Sequence, residues 1–216
     1  MKSHSLTIQT ALMLSVMVAC GQGTMIYDQS SATNRDLFGG GAPIQSQQPT
    51  GQSFTPALSS VGFVQLELVD FYPGNGTGAT VYVNLRADSI TGTILSSTEP
   101  VFMPDGFNDS ITNFFFPTSV AVIAGTTYYL QPVVQSGDHW DMIVGQYNYP
   151  GGTFFANGLP DPNGFDVWFR EGVLTPEPSS ALLVLFGGAV LWAGRRLTGE
   201  AGRQISQTTP ASLSTS

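Results

Sequence analysis

Apolar and polar residues alternate in short runs through the middle of the chain. Every second residue is apolar in residues 61–70 (VGFVQLELVD) and again in residues 79–86 (ATVYVNLR). The apolar positions are Val64, Leu66, Leu68, Val81, Val83 and Leu85, and the residues between them include Gln65, Glu67, Tyr82, Asn84 and Arg86. Because side chains alternate between the two faces of a strand, each run predicts a strand with one buried face. The turn-rich residues 72–78 (YPGNGTG) separate the runs, so we expect the pair to form a β-hairpin.

Further runs rich in Val, Phe, Tyr and Thr predict a chain made of short strands. Their positions are 93–97, 113–116, 120–123, 127–134, 141–146, 153–156 and 165–170. Residues 39–53, rich in Gly, Pro and Gln, are predicted to be a long loop. Parallel strands need crossover connections, and no amphipathic helical segment of adequate length separates these runs. The pattern therefore predicts an all-β fold, a jelly-roll-like antiparallel β-sandwich over residues 24–173.

The two ends of the chain carry apolar runs of another kind. Lys2 precedes the apolar residues 11–19, and small residues follow them, which is typical of a secretory signal peptide over residues 1–23. Cys20 is the single cysteine, so no intrachain disulfide is expected. Two alternatives stay open for Cys20: lipidation at a lipoprotein-type signal, or ordinary cleavage just beyond it.

The C-terminal apolar run covers residues 181–194, and Arg195 and Arg196 follow it directly. Fourteen helical residues extend about 21 Å, against a hydrocarbon core of about 30 Å, so the run is short for a membrane span. The preceding residues 174–180 (LTPEPSS) predict a proline-rich linker. We expect a single transmembrane helix over residues 181–197 with its arginine pair in the cytoplasm, and a disordered tail over residues 198–216.

This order of linker, apolar run and basic pair resembles the sorting tail of the PEP-CTERM proteins of Gram-negative bacteria. The residues that carry the resemblance are Pro176, Glu177, Pro178, Arg195 and Arg196, together with the apolar run between them. The resemblance implies export through the Sec translocon and a membrane-anchored intermediate in the inner membrane. It further implies processing by an exosortase, a membrane-embedded cysteine protease, and a final location at the cell surface or in the extracellular matrix.

The central part of the chain is similar, more loosely, to galactose-binding-like jelly-roll domains of exported bacterial proteins. The segments that carry this similarity are QSFTP (52–56), VYVNLR (81–86), GTILSST (92–98), AGTTYYLQPVV (124–134) and DVWFREG (166–172). These segments are mostly strand and turn sequences. The similarity therefore supports a sandwich fold and says little about function.

The charge balance excludes one class of partner. Charged residues make up 10% of the chain, and between Met25 and Leu174 there are thirteen acidic residues, three arginines and no lysine. A nucleic-acid-binding protein needs a basic face that neutralises phosphates. This segment supplies no such face, so we expect no nucleic-acid partner.

The residues for catalysis are sparse. His139 is the only histidine of the predicted sandwich, and no Gly-x-Ser-x-Gly motif occurs. A zinc site needs three or four ligands, which one histidine and one cysteine do not provide. We therefore expect a non-enzymatic protein. Its scattered carboxylates leave a hydrolase of extracellular polymers as an open alternative.

Calcium is the one metal for which the sequence offers ligands. The loops PDGFND (104–109) and DPNGFD (161–166) bring hard oxygen donors together beside glycine. The candidate ligands are Asp105, Asn108 and Asp109 in the first loop, and Asp161, Asn163 and Asp166 in the second. Asp, Asn and Gly are also common turn residues, and neither loop has the full spacing of a calcium motif. We therefore expect no resident cofactor and keep calcium as an alternative.

Aromatic residues near the C-terminal strands suggest a sugar-binding surface. On residues 166–170 (DVWFR) the alternation places Val167 and Phe169 on one face and Asp166, Trp168 and Arg170 on the other. An exposed tryptophan beside an acid and a guanidinium would suit a sugar ring, and Trp140, Tyr147 and Tyr149 would extend the surface. The leading prediction is a structural or adhesive matrix protein, with exopolysaccharide binding as the alternative.

Overall fold

The structure, a computed structural model, describes residues 23–34, 39–108 and 110–175. The predicted transmembrane helix and tail lie outside the described residues, as does the predicted signal peptide up to residue 22. The same holds for the sorting residues Pro176, Glu177, Pro178, Arg195 and Arg196, for Cys20, and for the calcium candidate Asp109.

The described residues form fourteen strands, in which β-branched and aromatic residues are frequent. In chain order they are β1 (Thr24–Ser30), β2 (Gly40–Pro43), β3 (Gly51–Phe54), β4 (Ser60–Asp70), β5 (Ala79–Ala87), β6 (Ile94–Ser97), β7 (Val101–Met103), β8 (Ser110–Ala121), β9 (Tyr128–Gly137), β10 (Trp140–Gly145), β11 (Phe154–Ala156), β12 (Leu159–Pro160), β13 (Asp166–Val167) and β14 (Phe169–Thr175). Within these described ranges there is no helix of the length and hydropathy needed to cross a membrane.

The strands form two antiparallel sheets of seven strands each. In sheet A the hydrogen-bonded order is β1-β14-β4-β10-β13, with β2 also paired to β10 and β8 paired to β4. In sheet B the order is β12-β11-β3-β9-β5-β6, with β7 paired to β5. The prediction of an all-β, antiparallel fold is confirmed for the described part of the chain.

One apolar core lies between the inward faces of the two sheets. Sheet A contributes Val64, Leu66, Leu68, Phe114 and Phe169, and sheet B contributes Phe54, Val81, Val83, Leu85 and Leu130. Full burial of each such side chain stabilises the fold by about 1.5–3 kcal/mol. The inward residues of β4 and β5 are therefore those that the alternation predicts.

The pairing of these two strands is not as predicted. β4 pairs with β8, β10 and β14, whereas β5 pairs with β6, β7 and β9, so residues 61–70 and 79–86 form no hairpin. The connection at residues 71–78 crosses from sheet A to sheet B. Alternation identifies the apolar face of a strand, but two such faces can lie side by side in one sheet or face each other across a core. Here they face each other.

The outward faces of β4 and β5 are also more enclosed than the alternation suggests. Gln65, Glu67 and Asn84 are 7%, 0% and 4% exposed. Gln65 Nε2 donates a hydrogen bond of 2.7 Å to Asn113 Oδ1 on the neighbouring strand β8. Polar residues can thus lie on the outer face of a strand and still be covered by the side chains of adjacent strands.

Several predicted boundaries change in the structure. Residues 113–116 and 120–121 belong to the single strand β8, which ends at Ala121, and most of residues 165–170 are divided between β13 and β14. The predicted loop at residues 39–53 contains β2 and β3, which pair with β10 and with β9 and β11 respectively. Turn-forming residues therefore occur inside strands here, because neighbouring strands supply their hydrogen-bond partners.

The first and last strands lie next to each other at one edge of sheet A. Thr24 of β1 is paired with Thr175 of β14, and Met25 with Leu174. Leu174 and Thr175 therefore belong to the sheet, although the sequence placed them in the linker. Strand β14 continues to the residue that precedes Pro176.

Candidate functional site

The six residues predicted to bind sugar do not form one exposed surface. Trp140, Tyr149, Asp166 and Trp168 are buried, and Tyr147 and Arg170 are half-buried. Trp140 packs against Phe107 with ring centroids 5.5 Å apart, and Tyr149 packs against Phe169 at 5.2 Å. Large rings remove much apolar area from water when they enter a core. The expected exposed tryptophan platform is therefore absent from the described residues.

The predicted faces are correct for Val167 and Phe169 and for Trp168 and Arg170, but Asp166 lies between the sheets, where it accepts a hydrogen bond from Gln52 of sheet B. Val167 and Phe169 lie in the core, and the Arg170 guanidinium lies 4.9 Å from the Trp168 ring on the opposite face. Trp168 Nε1 donates a hydrogen bond of 2.7 Å to the carbonyl of Asn34. The segment after β1 therefore covers Trp168 and removes it from contact with any ligand in solution.

In the first loop predicted to bind calcium, the carboxylate of Asp105 stabilises a turn. Oδ1 and Oδ2 of Asp105 each accept a 2.7 Å hydrogen bond, from the amides of Gly74 and Gly76. Both glycines have positive φ, 90° and 82°, a conformation that favours glycine. These amide bonds stabilise the ionised form and lower the pKa of Asp105. Its oxygens thus bind the backbone of residues 74–76, and Asn108 lies exposed in the same loop.

The acids of the second calcium loop are also bound to protein groups. Asp161 Oδ2 accepts hydrogen bonds from the amides of Asn163 and Phe165, at 2.9 and 3.1 Å. Asp166 is buried and accepts bonds from Gln52 Nε2 and the Tyr149 amide. In the described residues no three His, Cys, Asp or Glu side chains are grouped to hold a metal ion. Asp161 therefore binds the backbone of its own loop, whereas Asp166 binds Gln52 and Tyr149.

The clearest site geometry lies on the outer face of sheet B. Tyr82, Asn84 and Arg86 project from β5 on the face opposite the core, and Tyr129 and Gln131 of β9 lie directly beside Arg86 and Asn84. We call these five residues the polar row. Residues two apart on a strand are about 6.6 Å apart, so the part on β5 extends for roughly 13 Å.

Hydrogen bonds hold the side chains of the polar row in place. Asn84 Oδ1 accepts a bond of 2.7 Å from Ser97 Oγ, and Asn84 Nδ2 donates one of 3.1 Å to Gln131 Oε1. Arg86 Nε donates to the same Gln131 oxygen at 2.7 Å. Gln131 Nε2 donates to Gln48 Oε1 at 2.8 Å. The amide and guanidinium groups are therefore preorganised rather than free to rotate.

An open groove adjoins one end of the polar row. Its volume is about 380 Å³, and it is lined by Tyr82, Ser97, Thr98, Pro100 and Gln135. The groove combines an aromatic ring and a proline with hydroxyl and amide groups. At the other end of the polar row, the Tyr129 ring contacts the Phe155 ring edge-on, with ring centroids 5.5 Å apart.

A second unusual group is buried inside the sandwich. Glu171 lies on the inward face of β14, paired with Val64, and is 0% exposed. Both of its carboxyl oxygens are fully buried, and Asp28 and the backbone of Gln29 lie close to them. Burial raises the pKa of Glu171 to about 9, and the nearby negative charge of Asp28 adds to this effect. Glu171 is therefore a neutral acid at pH 7, enclosed and inaccessible to a substrate.

His139, the histidine weighed as a catalytic base, lies at the surface. Its ring contacts the Tyr72 ring edge-on, with centroids 5.9 Å apart, and its backbone amide donates a 2.7 Å bond to Asp138 Oδ1. The contact with Tyr72 is an aromatic packing contact and brings no nucleophile to the imidazole.

The sequence pattern placed three residues of the polar row on one face but did not indicate that they belong to a candidate site. Alternation places Tyr82, Asn84 and Arg86 on one face, and that face was expected to be ordinary solvent-facing surface. The partners Gln131 and Ser97 become apparent only when the neighbours of β5 are known. A row of aromatic, amide and guanidinium side chains on a single strand was the available signal.

Compared with protein-family models and with curated proteins, the chain matches none.

Proposed function

We propose that this protein is a non-enzymatic, exported protein of the bacterial cell surface or extracellular matrix, and that its β-sandwich binds extracellular polysaccharide. One observation carries the proposal: the polar row and its groove on the outer face of sheet B. Aromatic rings offer flat apolar surface, and amide and guanidinium groups offer several fixed donors and acceptors. Sugar rings combine an apolar face with many hydroxyl groups, so they match both features.

The shape of the site favours a polymer over a single sugar. The polar row extends along β5 for roughly 13 Å, with Tyr82 at one end and Arg86 beside Tyr129 at the other. The groove at the Tyr82 end is open to solvent. A chain of sugars lying along the strand would contact the half-buried side chains of Tyr82, Arg86 and Tyr129 in turn. Asn84 and Gln131 are 4% and 7% exposed and support these side chains from beneath. Adhesion to a matrix polymer is the corresponding role.

The proposal includes a route to the cell exterior. We infer a signal peptide over residues 1–23 and a transmembrane sorting helix over residues 181–197, in a Gram-negative bacterium. Sec-dependent export and exosortase processing at Pro176, Glu177 and Pro178 would then deliver the sandwich to the surface. The two sheets and their shared core support the sandwich part, and we extend this to a jelly-roll connectivity.

Binding to immobilised bacterial exopolysaccharides tests the proposal. The full-length chain is purified in a detergent without a sugar headgroup, which would otherwise compete for the site. Tyr82→Ala should weaken binding about tenfold, because the ring that lines the groove is lost. Tyr72→Ala removes an exposed tyrosine elsewhere and serves as the matched control. Equal affinities of the two variants, or no binding by the wild type, would contradict the proposal.

A further inference from the structure

We propose that the polysaccharide is acidic and that Arg86 binds its carboxylate groups. This inference rests on the proposed polysaccharide binding at the polar row, and it adds the chemical class of the ligand.

The Arg86 guanidinium is held by two neutral acceptors. Its Nε donates a bond of 2.7 Å to Gln131 Oε1, and its Nη1 donates to the carbonyl of Gly92. Neither acceptor carries a charge, so these bonds orient the guanidinium without neutralising it. A guanidinium has five N–H donors, which leaves three for a ligand. The side chain is half-buried, and the remaining donors belong to a group whose position is already determined.

The second arginine of the described residues is used for a structural purpose. The Arg170 guanidinium lies between the rings of Tyr27 and Trp168, at 5.5 and 4.9 Å from their centroids. It also donates hydrogen bonds to the carbonyls of Ala32 and Thr33, which fasten the segment after β1 onto sheet A. The described ranges contain no lysine. Among the described residues, Arg86 is therefore the cation available to a ligand on the outer face of sheet B.

The ligand that fits this cation is a sugar acid. A guanidinium presents parallel N–H groups that match the two oxygens of a carboxylate, and such charge-assisted bonds are stronger than neutral ones. Tyr129 is paired directly with Arg86 and offers a ring beside the same position. A uronic acid unit would therefore place its carboxylate on Arg86 while its ring lies against an aromatic side chain.

The acidic character of the chain does not oppose this local contact. The formal net charge of the protein is −8. Exposed charges farther apart than about 8 Å are largely screened at physiological salt. Carboxylates beyond that distance therefore act only weakly on a bound segment, and the guanidinium in contact with the ligand sets the local preference.

The decisive probe is one polymer in two charge states. Polygalacturonate and alginate are each compared with their carboxyl-reduced forms, in which every carboxylate has become an alcohol. Affinities of the full-length wild-type chain are measured in a detergent without a sugar headgroup. We expect each acidic polymer that binds to bind at least tenfold more tightly than its reduced form. Raising the salt concentration should narrow this difference, because the preference is electrostatic.

Variants of Arg86 identify the residue responsible. Arg86→Gln should abolish the preference, so that the variant binds the acidic and the reduced form of each polymer with affinities equal within about twofold. Arg86→Lys keeps the positive charge but lacks the planar pair of N–H donors, and it should retain part of the preference for the acidic polymer. Arg170→Gln removes an arginine from sheet A and should retain the full preference for the acidic polymer. Thermal unfolding of each variant shows whether the sandwich is intact.

The outcomes separate the two proposals. Equal binding of acidic and reduced polymers by the wild type would overturn the role of Arg86 and leave polysaccharide binding standing. A preference that survives in Arg86→Gln would also overturn it. Failure of the wild type to bind any acidic or reduced polymer would count against both.

Discussion

Gln52 of β3 and Asp166 of β13 join the two sheets through a hydrogen bond of 2.9 Å from Gln52 Nε2 to Asp166 Oδ1. The same glutamine accepts a bond of 2.8 Å from the Val167 amide, and Asp166 Oδ2 accepts one of 3.0 Å from the Tyr149 amide. Gln52 and Asp166 are 1% and 2% exposed. A residue expected to bind calcium or sugar thus links sheet A to sheet B inside the sandwich.

Removal of this link should destabilise the protein. Asp166→Ala leaves the Tyr149 amide without its buried acceptor and removes one of the two acceptors of Gln52 Nε2, which keeps its bond to the Ser53 carbonyl. We expect the free energy of unfolding to fall by about 2–4 kcal/mol, measured by urea denaturation. Glu99→Ala, at an exposed position, is the control and should change it by less than about 0.5 kcal/mol. Equal midpoints for the two variants would show that the link contributes little.

The buried acid Glu171 should make stability depend on pH. Its pKa is raised from 4.5 to about 9 in the folded protein, so the folded state holds a proton that the unfolded state has released. The contribution of Glu171 to stability should therefore be greatest below about pH 4.5 and should be lost as the pH rises toward 9, by at most about 1.4 kcal/mol per pH unit for one proton. Urea denaturation between pH 6.5 and 8.5 measures this slope. The range lies above the pKa of Asp141, which burial raises to about 6.

Glu171→Gln tests the assignment of that slope. A neutral amide of similar shape binds no extra proton, so the variant should have a flatter pH profile and be the more stable protein at pH 8.5. Glu99→Gln changes an exposed acid and should keep the wild-type slope. A wild-type slope in Glu171→Gln would mean that another group releases the proton.

Two neighbouring substitutions on β5 test which of its faces tolerate charge. Val83→Asp places a carboxylate in the core and should prevent folding. Asn84→Asp replaces the amide group that donates to Gln131 Oε1 with an acceptor, and should lower the free energy of unfolding by about 1–3 kcal/mol. The measurement is circular dichroism during thermal unfolding. An Asn84→Asp protein as stable as the wild type would argue against a rigid polar row.

The sorting tail makes a prediction about processing. If Pro176, Glu177 and Pro178 are a recognition element, their replacement by alanine should leave membrane insertion intact and block cleavage of the tail. The two prolines hold the segment extended, and Glu177 is the charge between them. The mobility and membrane partition of a tagged protein are compared in hosts with and without an exosortase.

A second variant separates sorting from anchoring. Replacement of Arg195 and Arg196 by serine should weaken the orientation and retention of the protein, because the positive-inside signal is lost. Identical processing of the wild type and of the variant without Pro176, Glu177 and Pro178 would refute their role in recognition.

The sequence alone determined the secondary-structure class and the apolar face of each main strand. The two-residue alternation of Val64, Leu66 and Leu68, and of Val81, Val83 and Leu85, predicts their burial, and all six lie in the core. Alternation is a property of one strand and its own backbone, so it is readable without knowledge of the partners. The absence of long amphipathic segments likewise predicted antiparallel pairing.

Only the tertiary structure decided which strands are neighbours, and with them the site. Asn84 is bonded to Gln131, 47 positions away, and Trp168 is bonded to the carbonyl of Asn34, 134 positions away. Such contacts depend on how the sheets are ordered and stacked, and the local pattern does not encode that order. For this reason the sequence placed a sugar platform on Trp168, which is buried. The row of Tyr82, Asn84 and Arg86 became a candidate site because β6 and β9 lie on either side of β5.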